Sequence, residues 1–119
     1  MKKFWLWVLV ILFALGFLVR LYKFNNPVAD WHSFRQGDTN AVSQIYVNDG
    51  INLLYPRFFD ISNVPSGIYD NPKGYRFVEF PIYNVAQVGV YDGLSWAGIN
   101  LAEAGRIVTI IASLCYGIS

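Results

Sequence analysis

The stretch FWLWVLVILFALGFLV, residues 4–19, decides the fold of this chain. It contains no charged residue, and twelve of its residues are Leu, Ile, Val or Phe. Continued to residue 22 as a helix, it measures about 28 Å, close to the ~30 Å hydrocarbon core of a bilayer. These side chains favour membrane insertion by on the order of 4 to 7 kcal/mol, more than Arg20 at the helix end opposes. The sequence therefore predicts a first transmembrane helix over residues 1–22.

A cleaved signal peptide is the alternative interpretation of this segment, because Lys2 and Lys3 resemble a basic n-region. The apolar run is long for a signal peptide, and bulky residues occupy the positions of the small cleavage-site residues. A signal anchor is therefore favoured, with the lysine pair in the cytoplasm. The long segment that follows would lie outside, since such segments translocate largely regardless of their charges.

The composition agrees with a membrane protein. Hydrophobic residues make up 55% of the chain and charged residues 14%, against roughly 45–50% and about 25% in soluble domains. Nine basic residues are balanced by eight acidic ones, so the chain has no electrostatic footprint for nucleic acid. Its one cysteine excludes an internal disulfide framework and a cysteine-only zinc site.

Residues 23–99 are predicted to form a long external loop with two juxtamembrane helices. The first covers about 38–48, where Asp38 can cap the helix and Gly50 can end it. The second covers about 81–94; it is amphipathic and too polar to span, so we expect it to lie in the membrane interface.

A second transmembrane helix is predicted over residues 100–119, truncated at the chain end. Asn100 and Glu103 give it a capping-box start, and from Asn100 onward it measures roughly 28 Å as a helix. The expected fold is an all-α membrane protein with two transmembrane helices joined by the external loop. We expect the chain to be the N-terminal piece of a longer protein, or a truncated copy.

The side chains best suited to chemistry cluster in Asp30-Trp-His-Ser-Phe-Arg-Gln-Gly-Asp38. Asp30 is a candidate catalytic carboxylate just beyond the membrane exit, and His32 and Arg35 are candidates for binding substrate or phosphate. The simpler alternative for Arg35 is a surface salt bridge with Asp30 or Asp38.

A second candidate catalytic carboxylate is Glu79, which lies between apolar residues in Phe77-Val-Glu-Phe-Pro-Ile82. A carboxylate in such surroundings is costly unless it is paired or coordinated. Asp30, His32 and Glu79 are also candidate ligands of a divalent cation, although the spacing of a zinc motif is absent. The identity of any cofactor stays open at this point.

The order of these features resembles the N-terminal portion of the polytopic GT-C glycosyltransferases. An arginine ends the first span, a proline and Asp30 follow, and Glu79-Phe80-Pro81 precedes the second juxtamembrane helix. The chain is most similar to the protein mannosyltransferase and aminoarabinose transferase group, which carries an acidic residue early in its first external loop. That group has a Glu-Lys-Pro or His-Pro-Pro type motif before its second juxtamembrane helix, and this chain has Phe80 where the aminoarabinose transferases have lysine.

The resemblance implies an enzyme of the plasma or inner membrane whose loop faces the outside or periplasm. When full length, it would transfer a hexosyl or pentosyl group from a polyprenyl-phosphate carrier to a protein, lipid or glycan, with inversion; this portion alone is expected to be inactive. Asp30 would act as the base, Arg35 would contact phosphate and Glu79 would support an ion or the base. The alternative is a small non-enzymatic two-span membrane protein whose external loop binds a partner.

Overall fold

The computed structural model describes residues 2–22, 24–26, 33–62, 67, 70–77 and 79–118. These residues contain four α-helices: α1 (Lys2–Leu21), α2 (Ser33–Asp49), α3 (Ile82–Leu94) and α4 (Leu101–Ile118). A short 3-10 turn, Ser95–Ala97, follows α3 directly. No β-strand occurs in the described part of the chain, so the predicted all-α class is confirmed there.

Helix α1 leaves its apolar side chains largely uncovered. Apart from the half-buried Val8, the large apolar side chains of α1 have exposed fractions from 38% at Phe17 to 72% at Val19. The segment Phe4–Leu21 is long and apolar enough to cross a membrane by itself. Helices α3 and α4 form a second candidate span only when taken together, and the chain bends by 119° between them. By length and composition, the described residues thus offer one or two candidate spans.

Helix α2 begins at Ser33, ahead of the predicted start at residue 38. Asp38 therefore lies inside the helix, and the prediction that it caps α2 is wrong. Its carboxylate instead accepts a hydrogen bond from Nη2 of Arg76 at 2.9 Å, a long-range partner that local pattern does not reveal. The predicted end is confirmed: the Gly50 N–H donates to the Tyr46 carbonyl at 3.1 Å, and Gly50 has a φ of 90°, a conformation natural to glycine.

Buried polar side chains join α2 to α3. Ser43 and Gln87 are 0% and 1% exposed, and the Ser43 hydroxyl donates to Oε1 of Gln87 at 2.9 Å. Nδ2 of Asn84 donates to the Ser43 hydroxyl at 2.9 Å, and Nε2 of Gln87 donates to the Leu101 carbonyl at 2.8 Å. No buried side-chain nitrogen or oxygen among the described residues lacks a partner. The network is therefore fully satisfied, which is the condition for a polar core to stabilise a fold.

A small apolar core adjoins this network. It consists of Val42, Tyr46 and Val88, with Phe58 of the loop packed against it. The Tyr46 hydroxyl donates to the Asn52 carbonyl at 2.8 Å, and burial raises the pKa of Tyr46 above its usual value. Tyr46 thus connects the end of α2 to the start of the loop between α2 and α3.

The start of α4 has the capping box that the sequence predicts. The Asn100 N–H donates to Oε2 of Glu103, and the Glu103 N–H donates to Oδ1 of Asn100, both at 2.9 Å. One turn later α3 and α4 come into close contact at Gly105. A Cβ added there would lie 2.9 Å from Nε2 of Gln87, and the Tyr83 hydroxyl donates to the Gly105 carbonyl at 2.6 Å. Only glycine allows this approach without displacing a neighbour.

Two segments of the loop between α2 and α3 pair with each other close to α2. Arg57 and Tyr75 form an isolated antiparallel bridge, and the Phe58 N–H donates to the Gly74 carbonyl at 2.7 Å. The Arg76–Asp38 ion pair then joins the segment after this bridge to α2. This arrangement carries the residues after Arg76, including Glu79, to the side of α2 that bears Arg35.

Candidate functional site

Arg35 and Glu79 form the ion pair at the centre of the candidate site. Nη2 of Arg35, on α2, donates to Oε1 of Glu79, which lies just ahead of α3. Both side chains are solvent-accessible, with exposed fractions of 78% and 64%. An exposed ion pair contributes at most about 1 kcal/mol to folding. The pair is therefore not needed to hold the fold together, and both charges are accessible to a ligand.

A cavity of about 280 Å³, here named the ion-pair pocket, is lined by both partners. Asp38, Arg76 and the buried Asn84 also line it. The Asp38–Arg76 pair is more enclosed than the Arg35–Glu79 pair, with exposed fractions of 15% and 23%, and the Arg76 guanidinium lies 4.8 Å above the Phe58 ring. Asp38 and Arg76 therefore have structural partners, whereas Arg35 and Glu79 form the open side of the pocket.

A second cavity, of about 380 Å³, shares Arg35 and Thr39 with the ion-pair pocket. It is here named the cationic cleft, because Arg20 from the end of α1, Arg35 from α2 and Arg106 from α4 all line it. None of the described residues that line this cleft is acidic. Three guanidinium groups around one cavity make an environment suited to an anion, and guanidinium matches phosphate oxygens in particular.

Arg106 also holds the chain that leaves α1. Its Nη1 and Nη2 donate to the backbone carbonyls of Phe24 and Asn26, respectively. Arg20, by contrast, makes one long bond of 3.3 Å, to the Gly16 carbonyl of its own helix. A guanidinium has five N–H donors, so both arginines keep donors for a ligand in the cleft.

The structure brings together two of the four predicted site residues. Arg35 and Glu79 are in direct contact although 44 positions separate them. The alternative partners suggested for Arg35 were Asp30 and Asp38, and Asp38 pairs with Arg76 instead. Asp30 and His32 lie outside the described residues. The expectation that these residues lie close to Glu79 in one site therefore stays a prediction.

The hypothesis of a divalent cation depends on these same residues. In the described part of the chain, no three His, Cys, Asp or Glu side chains come together as a metal site would require. Two of the three proposed ligands, Asp30 and His32, lie outside it. The pairing of Glu79 with a guanidinium offers another way to compensate its charge without a metal.

Sequence reasoning assigned no site role to Arg20 or Arg106. Each lies near the outer end of a predicted span, where a long basic side chain is ordinarily explained by snorkelling to the membrane surface. If both helices cross the membrane, the end of α1 and the start of α4 lie at the same membrane face. Arg20 and Arg106 are then expected at the same depth, and this shared depth is the signal that could have identified them.

The chain matches no family model, no curated protein and no solved structure.

Proposed function

We propose that this chain is the N-terminal part of an integral membrane glycosyltransferase that takes a sugar from a polyprenyl-phosphate carrier by inverting transfer. The observation that carries the proposal is the position of Arg35, which lines both the cationic cleft and the ion-pair pocket and is paired with Glu79 in the latter. Two adjoining cavities of this kind suit a reaction in which phosphate departs on one side and an acceptor hydroxyl attacks on the other.

The proposal includes a membrane topology in which α1 and α4 cross the bilayer and residues 23–99 lie outside. The buried side of α3 is mixed and contains Asn84, Gln87 and Val88, whereas Ile82 is 66% exposed. An exposed apolar side chain of this kind suits a helix that lies in the membrane interface. The 119° bend before α4 suits an interfacial α3 followed by a spanning α4.

In the proposed reaction, Asp30 accepts the proton of the acceptor hydroxyl as its oxygen bonds to the anomeric carbon. A carboxylate suits this role because the proton becomes acidic only as the attack proceeds. The bond between the anomeric carbon and the phosphate oxygen breaks on the opposite side, and its electron pair leaves with the lipid phosphate. Arg35 stabilises the developing negative charge, and Glu79 holds the Arg35 guanidinium in place.

A second candidate function is a non-enzymatic membrane protein whose external loop binds a partner. The loop exposes several large apolar side chains, among them Leu54, Phe59 and Ile61, with exposed fractions of 73%, 66% and 69%. Exposed apolar clusters commonly mark binding surfaces. This function predicts no sugar transfer at all.

The experiment measures sugar transfer from polyprenyl-phosphate sugar in membranes that contain the intact protein. Asp30→Asn is expected to lower turnover by about 10²- to 10⁴-fold, because it keeps the side-chain shape and removes the proton acceptor. Asp70→Asn is the matched control, since Asp70 is an exposed loop carboxylate. Equal turnover of the two variants would contradict the role of Asp30. Absence of transfer by the unmodified protein, with partner binding retained, would favour the second candidate.

A further inference from the structure

We propose that a pocket between the end of α2 and the loop that follows it binds a neutral saccharide, at a site separate from the Arg35–Glu79 pair. The cavity, here named the loop pocket, has a volume of about 410 Å³, which lies in the range of ligand-binding cavities. The side chains that supply its chemistry are those of Tyr46, Asp49, Asn52, Tyr55, Arg57 and Tyr75. The site does not depend on sugar transfer, so it goes beyond the proposed function.

Three aromatic rings form a cluster at the loop pocket, and two of them line it. The ring centre of Tyr55 lies 5.7 Å from that of Tyr75 and 6.2 Å from that of Phe77, and the last two rings are stacked at 5.8 Å. The exposed fractions of Tyr55 and Phe77 are 53% and 45%. The face of an aromatic ring carries partial negative charge, and the C–H groups of a pyranose ring carry partial positive charge. An exposed tyrosine in the wall of a cavity therefore suits the flat face of a sugar.

Polar groups of both kinds line the same pocket. Asp49 and Arg57 form an ion pair there, with exposed fractions of 52% and 41%. Oδ1 of Asn52 accepts the Tyr55 N–H at 3.0 Å, which leaves the N–H groups of the Asn52 side chain available. The pocket thus offers a carboxylate acceptor together with guanidinium and amide donors. A saccharide hydroxyl both donates and accepts, so neighbouring hydroxyls on one sugar can use both kinds of group.

The ion pair in the lining favours a neutral ligand. Asp49 and Arg57 together carry no net charge. An anion has to compete with Asp49 for the guanidinium, and a cation has to compete with Arg57 for the carboxylate. Aromatic rings by themselves would also suit a quaternary ammonium group, but the Arg57 guanidinium repels it. A neutral saccharide binds to both charged groups without separating them.

The shape of the loop pocket is held by hydrogen bonds within the protein. Tyr46 is 3% exposed, and its hydroxyl donates to the Asn52 carbonyl at 2.8 Å. The Phe58 N–H donates to the Gly74 carbonyl at 2.7 Å, next to the bridge between Arg57 and Tyr75. The walls are therefore in place before a ligand arrives, which lowers the entropy cost of binding.

The loop pocket is distinct from the ion-pair pocket. Consecutive side chains of an extended segment point to opposite sides. Arg57 and Tyr75 line the loop pocket, whereas their neighbours Pro56 and Arg76 line the ion-pair pocket. Among the described residues, the two cavities share no lining residue. A saccharide in the loop pocket therefore leaves Glu79 and the proposed transfer site unoccupied.

The test is saturation-transfer NMR on the intact protein in a zwitterionic detergent that has no sugar head group. The probes are the methyl pyranosides of glucose, galactose, mannose and N-acetylglucosamine, with choline and glucuronate as charged competitors. We expect a Kd of about 1 mM or lower for at least one of the four pyranosides, and a Kd at least about tenfold higher for each charged competitor. The proposal is overturned if all four pyranosides have a Kd above about 10 mM. It is also overturned if choline or glucuronate binds as tightly as the best pyranoside.

Variants of Tyr55 test the stacking contact with the best pyranoside. Tyr55→Leu is expected to raise Kd about tenfold, because the ring is lost. Phe59→Leu is the control: Phe59 is 66% exposed in the same loop and does not line the pocket, so Kd is expected to stay unchanged. Tyr55→Phe keeps the ring and is expected to bind nearly as tightly as the unmodified protein. Equal Kd values for the two leucine variants, or a Tyr55→Phe variant as weak as Tyr55→Leu, would overturn the proposal.

Variants of two carboxylates locate the ligand and separate it from the proposed transfer site. Asp49→Asn is expected to raise Kd about fivefold, since a charged acceptor is lost, whereas Asp92→Asn, on exposed α3 surface, leaves Kd unchanged. Glu79→Gln is also expected to leave Kd unchanged. Equal effects of Asp49→Asn and Asp92→Asn would overturn the proposal, and weaker binding by Glu79→Gln would place the saccharide at the transfer site and overturn it as well. Saccharide binding by a protein that transfers no sugar supports this site and contradicts the proposed function.

Discussion

Arg106 on α4 donates a hydrogen bond to the backbone carbonyl of Phe24, 82 positions earlier in the chain. A second bond from the same guanidinium reaches the Asn26 carbonyl. The exit of α1 is thereby attached to the start of α4, directly beside the cationic cleft. In sequence, the proposed base, Asp30, follows Asn26 by four residues.

Arg106→Lys tests this attachment. Lysine keeps the positive charge but lacks the planar fork that donates to two carbonyls at once. We expect the free energy of unfolding to fall by about 1–2 kcal/mol, since hydrogen bonds from a charged donor are lost. The control is Arg57→Lys, whose exposed ion pair with Asp49 contributes at most about 1 kcal/mol. Chemical unfolding in detergent measures the stability of both variants. An Arg106→Lys variant as stable as the unmodified protein would contradict the claim that Arg106 attaches the exit of α1 to α4.

Gln87→Leu tests the polar network between α2 and α3. The substitution keeps the volume but removes the partners of Asn40 and of the Leu101 carbonyl, which are at most partly exposed. Leaving such groups unsatisfied is expected to lower the free energy of unfolding by about 1–3 kcal/mol. Gln44→Leu is the control on exposed α2 surface, where a change within about 0.5 kcal/mol is expected. Similar losses of unfolding free energy in both variants would show that the buried network stabilises the fold no more than an exposed side chain does.

Gly105→Ala tests the close approach of α3 and α4. The added Cβ would lie 2.9 Å from Nε2 of Gln87 and 3.1 Å from the Tyr83 hydroxyl, so the two helices must separate slightly. We expect a loss of about 1–3 kcal/mol, as for overpacked cores. Gly89→Ala lies inside α3 with no atom within 4 Å of the new Cβ, and it is expected to stabilise by about 0.5–1 kcal/mol. Thermal unfolding measures the change in Tm of both variants. A lower Tm for Gly105→Ala with a higher Tm for Gly89→Ala would confirm the contact, and changes of the same sign would contradict it.

Lys73→Cys tests the proposed topology in a Cys115→Ser background. Lys73 is exposed in the loop between α2 and α3. If residues 23–99 lie outside, a membrane-impermeant maleimide will label the new cysteine in intact cells. Labelling only after the cells are lysed would place the loop in the cytoplasm and exclude the proposed reaction at the outer face.

The local elements of this fold follow from local sequence patterns. The capping box at Asn100 and Glu103 and the helix end at Gly50 each depend on residues only a few positions apart. The apolar stretch of α1 is continuous and needs no tertiary information. These features could therefore be predicted from short windows of sequence.

The candidate site depends on long-range contacts, which such windows do not contain. Asp38 has a cap-like position in sequence, yet its partner is Arg76 in the returning loop. Arg35 had nearby acidic candidates, yet it pairs with Glu79, 44 positions away. The pairing follows from the bridge between Arg57 and Tyr75, which folds the loop back onto α2. Glu79 has a partner in the structure, and the identity of that partner, Arg35, depends on this long-range contact.

Turnover of Glu79→Gln tests the central claim most directly. Gln keeps the shape of Glu79 and removes the negative charge that holds the Arg35 guanidinium. The measurement is the initial rate of sugar transfer from polyprenyl-phosphate sugar, at matched amounts of membrane-inserted protein. Glu103→Gln is the control, since glutamine also completes a capping box.

The account predicts that Glu79→Gln lowers turnover by about ten- to a hundredfold, because the Arg35 guanidinium that stabilises the leaving phosphate is no longer held in place, and a small misplacement of a reacting group costs about that much. It predicts that Glu103→Gln transfers sugar at nearly the normal rate. A Glu79→Gln protein with normal turnover would contradict the claim that the Arg35–Glu79 pair serves glycosyl transfer.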